Sequence, residues 1–203
     1  MQRVRFLMNI VFVFGATSLL ANQPSWNGWN GDLVHRGGSF TSLFAGHAGI
    51  FHCFDEHGCG IIGSILHIMP GFDEDGKALR QHNMSGVFDI KPLRENAFNP
   101  DNRPFYGSVR HPNIKSKLSL MSRLHDQISF YYKNGTTYDF DHRNQLGKRT
   151  ANGYFEFDCV GFTEKVMEYL GYNPTPDDQQ EGFGWPLSVY EQRDSRYLNR
   201  VMN

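Results

Sequence analysis

The stretch Gly46-His47-Ala48-Gly49-Ile50-Phe51 predicts a β-strand that opens on a histidine and continues with apolar residues. Gly46 and Gly49 lie on either side of His47 and allow another backbone to approach the strand closely. A histidine in this setting is either a core residue with satisfied polar atoms or a residue of a functional site. We therefore take His47 as the preferred candidate for a general base.

Apolar segments before and after this stretch predict its neighbours in a sheet. Gly31-Asp32-Leu33-Val34 begins one strand candidate, and residues 61–69 form another. In the second segment, strict alternation places His67 on one face together with apolar residues. A ring in such surroundings needs a polar partner, and another imidazole in the sheet would serve.

A second decisive stretch, Phe157-Asp158-Cys159, leads into an amphipathic helix that ends at Gly171. Asp158 is a good N-cap residue, which places Cys159 in the first turn of that helix. The helix dipole and the free N–H groups there favour a thiolate, lower the pKa of the cysteine and can hold an oxyanion. Asp158 itself opposes a thiolate, so a base is still needed. The alternative is that Cys159 is a small buried residue on an apolar helix face.

Two polar segments interrupt the apolar pattern. Residues 71–86 and 96–113 are predicted to be loops, with a short strand at 87–90 between them. The tail beyond residue 175 is also predicted to be loop, apart from a short helix after Pro186. Apolar residues that recur every three or four positions predict a further helix from residue 114 to 134. Because strands outnumber helices and cluster early, we expect an α+β domain with an antiparallel sheet packed on helices.

The N-terminus and the composition indicate an exported protein of one domain. Residues 1–21 have the three-part pattern of a secretory signal peptide, with an uncleaved membrane anchor as the alternative. We expect residues 22–203 to form a single domain that is secreted or periplasmic, with no stable membrane insertion after cleavage. Loss of the two arginines in residues 1–21 takes the net charge from −1 to −3, which disfavours a nucleic-acid partner.

Export changes how the three cysteines are interpreted, because thiols tend to pair in an oxidising compartment. Cys53 and Cys59 flank a polar stretch between two apolar runs, which is typical of a β-hairpin and favours a disulfide between them. Two unpaired thiols are one alternative, and a zinc site that adds His52 and His57 is another. Neighbouring residues of a strand point to opposite faces, which argues against zinc, so no metal is expected. Cys159 is the odd cysteine, to be considered a reactive thiol.

Taken together, the strand and helix stretches quoted above resemble the NlpC-type papain-like superfamily of cysteine peptidases. In its cell-wall endopeptidases, an Asp-Cys-small-Gly motif opens the nucleophile helix, and a Gly-Asp strand and a Gly-His strand follow. Here the histidine strand comes before the cysteine helix, which is similar to the circularly permuted branch. The resemblance covers residues 31–172 and implies a papain-like fold.

The resemblance also implies a role for each candidate residue. Cys159 would be the nucleophile and His47 the general base, with His67 as the third member of a Cys-His-His site. Tyr138 resembles a pocket residue of permuted members. Asp158 matches a position that contacts the free amine of a peptidoglycan stem peptide, and no cofactor is implied.

The function implied by the resemblance is secreted hydrolysis of an amide bond, most directly in a peptidoglycan stem peptide, through a thioester intermediate. Two departures from the family bear on the substrate. Val160 follows the cysteine where peptidases usually carry serine, and residues 71–113 match no segment of the family. The alternatives are a lipid or ester acyl hydrolase or acyltransferase of the same superfamily, and a catalytically inactive secreted binding module.

Overall fold

The computed structural model describes residues 28–38, 46–53, 62–68, 79–85, 104–139, 147, 149–176 and 187–202. The strands in these ranges are β1 Leu33–Arg36, β2 His47–His52, β3 Ile62–Ile68, β4 Leu79–Ser85, β5 Phe105–Arg110, β6 Thr136–Tyr138, β7 Phe155–Phe157 and β8 Asn199–Met202. The helices are α1 Met121–Lys133, α2 Cys159–Tyr169 and α3 Val189–Arg193.

Six of these strands form one antiparallel sheet in the order β4-β3-β2-β1-β5-β8. The other two, β6 and β7, pair in parallel and place Tyr138 opposite Phe157. The expected α+β architecture, an antiparallel sheet packed on helices, is confirmed at this level. The predicted pairing of the strands around His47 and His67 is also found, because β2 and β3 run antiparallel with Ile50 opposite Leu66.

The core lies between one face of the sheet and the helices. β2 contributes Ala48 and Ile50 to this face, and α2 covers it with Phe162, Val166 and Met167, all buried. These residues follow the two-residue period of a strand and the three-to-four-residue period of a helix. The apolar face of α2 therefore fixes its start, and with it Cys159, against the first residues of β2.

β1 is attached to β5 by a buried ion pair as well as by backbone pairing. Both carboxylate oxygens of Asp32 accept hydrogen bonds from Arg110, at 2.6 and 2.7 Å. The Arg110 guanidinium lies 3.8 Å from the ring centre of Trp29, whose backbone N–H also donates to Asp32. The aspartate of the Gly-Asp-Leu-Val stretch thus has a structural role at the entrance to β1.

Three segments predicted to be loop are strands: β4, β5 and β8. β4 is polar in sequence, but its seven residues pair with β3 along their whole length. β5 lies between Pro104 and Pro112, so the prolines bound the strand and do not interrupt it. Backbone pairing with distant strands outweighs the local composition in all three. The strand predicted at 87–90 lies outside the described residues.

The predicted first helix is shorter than its apolar pattern. α1 begins at Met121, whereas residues 114–120 are not helical, and their side chains Ile114 and Leu120 are buried. Both side chains pack against Gly31, where an added Cβ would lie 2.8 Å from Leu120 and 3.2 Å from Ile114. The short helix predicted after Pro186 is present as α3. In the described part of the chain, no helix has the length and apolar character needed to cross a membrane.

Candidate active site

Cys159 is the first residue of α2, and it is 3% exposed. Asp158 caps the helix as predicted, since its carboxylate accepts a hydrogen bond of 2.7 Å from the N–H of Gly161. The Sγ atom of Cys159 lies 3.9 Å from the carbonyl oxygen of Gly46, the residue before β2. The thiol therefore sits against the backbone on either side of His47.

The hydrogen bonds of β2 show which side of the strand the sulfur occupies. The backbone N–H of Phe51 donates to the backbone carbonyl of Asp32, just before β1. The backbone N–H and C=O groups of Phe51, and of alternate residues in β2, therefore point toward β1. The carbonyl of Gly46 and the N–H of Ala48 consequently point toward β3. The register between β2 and β3 covers Ile50 to His52, and the sulfur lies beyond it, at the end where His47 begins the strand.

The thiol of Cys159 is protonated at neutral pH, since its pKa is raised to about 12. Burial is the main cause, and the carboxylate of Asp158 adds to it. The N–H groups of Ala48 and Val160 and the charge of Arg36 act in the opposite direction. The expectation of a lowered pKa at the helix start is wrong, because the loss of hydration outweighs these groups. The expected opposition from Asp158 is found.

His47 and His67 form a buried pair on neighbouring strands. The Nε2 atom of His47 lies 2.7 Å from Nδ1 of His67, and the two rings meet edge to face at 84°. The side chains are 5% and 0% exposed, respectively. The imidazole partner predicted for His67 is therefore His47 itself.

Tyr138 is the last residue of β6 and lies beside Cys159. Burial is the largest cause that raises the pKa of its hydroxyl. The charge of Cys159, the charge of Asp158, a hydrogen bond with Cys159 and the charge of Asp139 add to it. The parallel register of β6 and β7 brings Tyr138 and Asp139 next to Phe157 and Asp158. Both aspartates are buried, at 3% and 2% exposure, so the thiol has an acidic flank.

Two features beside the candidate site were missed from the sequence. Arg36, the last residue of β1, is the register partner of His47. A buried polar network is the second feature. Nε2 of His35 donates to Oε1 of Gln192 at 2.9 Å. The amide nitrogen of Gln192 donates to Thr163 at 2.8 Å and to Glu164 at 2.5 Å. This network ties α3 and β1 to the second turn of α2.

The described part of the chain contains two of the three cysteines, Cys53 and Cys159. Cys53 is disulfide-bonded, whereas Cys159 is free. Cys59, the predicted disulfide partner of Cys53, lies outside the described residues. So does His57, a residue of the alternative zinc set. Within the ranges that the structure covers, no group of three or more histidine, cysteine or acidic side chains is arranged to hold a metal ion.

Comparison of the chain with protein-family models, with curated proteins and with solved structures found no match. Its function therefore has to be inferred from the chemistry of the residues around Cys159.

Proposed function

We propose that this chain is a secreted or periplasmic thiol-dependent hydrolase that cleaves an amide bond, with a peptidoglycan stem peptide as the substrate to test first. One observation carries the proposal: the sulfur of Cys159 lies against the backbone that bears His47, and His67 holds the ring of His47. A nucleophile, a base and a group that orients the base make up the arrangement required for acyl transfer.

The contact between the two histidines links their tautomers, because one of the two ring nitrogens must donate and the other must accept. If Nε2–H of His47 donates to Nδ1 of His67, Nδ1 of His47 carries the lone pair. Proton transfer from Cys159 would then use this Nδ1 atom. His67 acts as the orienting group, because its own tautomer must leave Nδ1 as an acceptor.

The reaction then takes place in two halves. His47 removes the thiol proton as the sulfur attacks the carbonyl carbon, and the carbonyl electron pair moves to oxygen. When the tetrahedral intermediate collapses, the carbon–nitrogen bond breaks and His47 returns its proton to the leaving amine. Water, deprotonated by His47, attacks the thioester, and the acid leaves as the Cys159 thiol forms again.

The protonated state of Cys159 determines how the base must act. A thiol with a pKa of about 12 is not a standing thiolate, so proton removal has to accompany attack on the substrate. The backbone N–H groups at the start of α2 and the hydroxyl of Tyr138 are the donors for the oxyanion.

The proposed fold and substrate rest on the family resemblance together with the acidic flank. We assign residues 22–203 to a papain-like domain of the circularly permuted branch. Asp158 and Asp139 would attract a free amine of the stem peptide, since both carboxyl groups lie beside Tyr138 near the thiol. Burial of the pair strengthens such a charge interaction.

The test is hydrolysis by the mature protein of purified peptidoglycan fragments and, in parallel, of phospholipids, with products identified by mass spectrometry. The wild type should release new amines and acids from the peptide fragments. Cys159→Ala and His47→Ala should abolish release while the far-ultraviolet circular dichroism stays unchanged. Release from phospholipids alone would assign the lipid acyl chemistry, and full activity in either variant would contradict the proposed mechanism.

Burial of Cys159 favours a second candidate function, a secreted binding module without catalysis. A thiol that is 3% exposed, with a pKa raised to about 12, has the properties of a structural cysteine. Under this alternative, Cys159→Ala would cost stability but change no reaction. Absence of any acyl adduct on Cys159, together with no product released from either substrate by the folded wild type, would favour the binding module.

A further inference from the structure

Arg36 shares a face of the sheet with the candidate base. It lies directly opposite His47 in the antiparallel register of β1 and β2. Side chains of directly opposed residues emerge on the same face of an antiparallel pair, with their Cβ atoms about 4.5–5.5 Å apart. Arg36 is partly exposed, and its Nη1 atom donates to the carbonyl of Gly37 at 3.0 Å. A cation therefore stands next to the proposed base.

The charge of Arg36 reaches the sulfur as well. Its positive charge favours the thiolate of Cys159, in opposition to the carboxylate of Asp158. Asp139 and Asp158 act on Tyr138 from the other flank. Charges of opposite sign, on β1 and at the start of α2, therefore act on the thiol.

We propose that Arg36 is a specificity-determining residue that binds an anionic group of the substrate, a carboxylate or a phosphate, close to the carbonyl that Cys159 attacks. The inference rests on the proposed function and names the class of acyl group that the site accepts. A guanidinium presents a planar fork that matches the oxygens of both anions. Substrates that carry such a group next to the scissile bond should react faster than their neutral analogues.

Iodoacetate and iodoacetamide test this charge preference on the thiol itself, because the two reagents are nearly isosteric and differ in charge. In each case the sulfur–carbon bond forms, the carbon–iodine bond breaks, iodide leaves with the bonding pair, and the thiol proton passes to solvent. The rate for iodoacetate is divided by the rate for iodoacetamide at pH 9, and the ratio is normalised to that of 2-mercaptoethanol. Any change in the thiolate fraction of Cys159 cancels in this ratio.

The wild type should give a normalised ratio of about five or more, since the cation attracts the anionic reagent in a partly buried site. Arg36→Gln should bring the ratio close to one, and Arg36→Lys should give an intermediate value. Arg123→Gln is the matched control. Arg123 donates to the carbonyl of Leu170 at the far end of α2, about 16 Å from Cys159 along the helix axis, and its loss should leave the ratio unchanged.

Two further measurements apply to the wild type and do not depend on the folding of a variant. The ratio should fall toward one between about 0.02 and 0.5 M sodium chloride, because salt screens the attraction. At constant ionic strength, acetate or inorganic phosphate should slow alkylation by iodoacetamide relative to chloride. Protection by acetate alone assigns a carboxylate, and protection by phosphate alone assigns a phosphate.

The outcomes separate this inference from the proposed function. A Cys159 that is inert to both reagents at pH 9 overturns the role of Arg36, and the proposed function falls with it only if the wild type also releases no product from the peptide fragments. A reactive Cys159 overturns only the role of Arg36 if its ratio equals that of the free thiol, is unchanged in Arg36→Gln, or is insensitive to salt. Lack of protection by both anions overturns it as well.

Discussion

The Nε2 atom of His47 lies 2.7 Å from Nδ1 of His67, and this contact joins β2 and β3 through two buried imidazoles. Two neutral rings satisfy each other only when one donates and the other accepts. The pair therefore restricts the tautomers of both histidines. This restriction gives His67 a role in orienting the base that does not require contact with the substrate.

Replacement of His67 tests this orienting role. His67→Ala removes the acceptor that holds His47, so we expect hydrolysis of the peptide fragments to fall by at least about tenfold in kcat, with a smaller change in KM. His67→Gln keeps a side-chain acceptor and should recover part of the lost rate. Loss of activity to the same degree in His125→Ala, which changes an exposed ring on α1, would show that the effect is not specific to the pair.

The raised pKa of Cys159 predicts how its alkylation depends on pH. Because the pKa is about 12, the thiolate fraction should increase about tenfold per pH unit from pH 7 to 10, with no plateau in that range. The rate of modification by iodoacetamide, followed by intact mass, measures this fraction. A plateau near pH 7 to 8 would instead indicate a preformed thiolate–imidazolium pair between Cys159 and His47.

Asp158 has two opposed effects that a single substitution separates. Asp158→Asn retains a side-chain acceptor for the N–H of Gly161 and removes the negative charge beside the thiol. We expect alkylation of Cys159 at pH 9 to accelerate by at least about threefold, with little loss of stability. Asp158→Ala removes the cap too, and should cost about 1 kcal/mol of unfolding free energy. Equal alkylation rates in the wild type and Asp158→Asn would contradict this role of the charge.

The lowered pKa of the buried His35 predicts that the protein loses stability in acid. Burial lowers its pKa from 6.5 to about 4, and Nδ1 of its ring has no hydrogen-bond partner in the described part of the chain. Between these two values the unfolded state binds the proton and the folded state does not, so stability is retained above about pH 6.5 and falls as the pH drops toward 4. The full difference corresponds to roughly 3 kcal/mol.

Urea unfolding at pH 7.5 and pH 4.5 measures this loss. His35→Gln does not titrate and retains a donor for the side chain of Gln192, so the pH dependence should shrink. It should not vanish, since burial also lowers the pKa of His52 to about 4. The exposed His125 provides the control, and His125→Gln should keep most of the pH dependence, because its charge is the last of the three causes that act on the pKa of His52. An unchanged pH dependence in His35→Gln would contradict the assignment.

Features set by neighbouring residues were predictable from the sequence. The start of α2 at Cys159 follows from the capping preference of Asp158, which acts within three residues. The strand nature of β2 and β3, and the burial of His67 among apolar residues, follow from alternation. Local pattern therefore placed the candidate nucleophile and both histidines on the correct elements.

Features that depend on distant pairing were not predictable in the same way. β4 and β8 are strands because they extend a sheet, not because their residues favour strands. The hydrogen bond between His35 and Gln192 joins residues 157 positions apart. Arg36 becomes a neighbour of His47 only through the register of β1 on β2. The pKa of Cys159 depends on burial by the whole fold, which a helix-start argument omits.

The most direct test of the proposed thioester mechanism is a search for the acyl intermediate on Cys159. The wild-type protein is mixed with peptidoglycan fragments, quenched in acid within seconds, digested, and mapped by mass spectrometry. We predict an acyl adduct on the peptide that contains Cys159, absent in Cys159→Ala together with all hydrolysis. Hydrolysis that persists in Cys159→Ala, or an adduct on any residue other than Cys159, would contradict the mechanism.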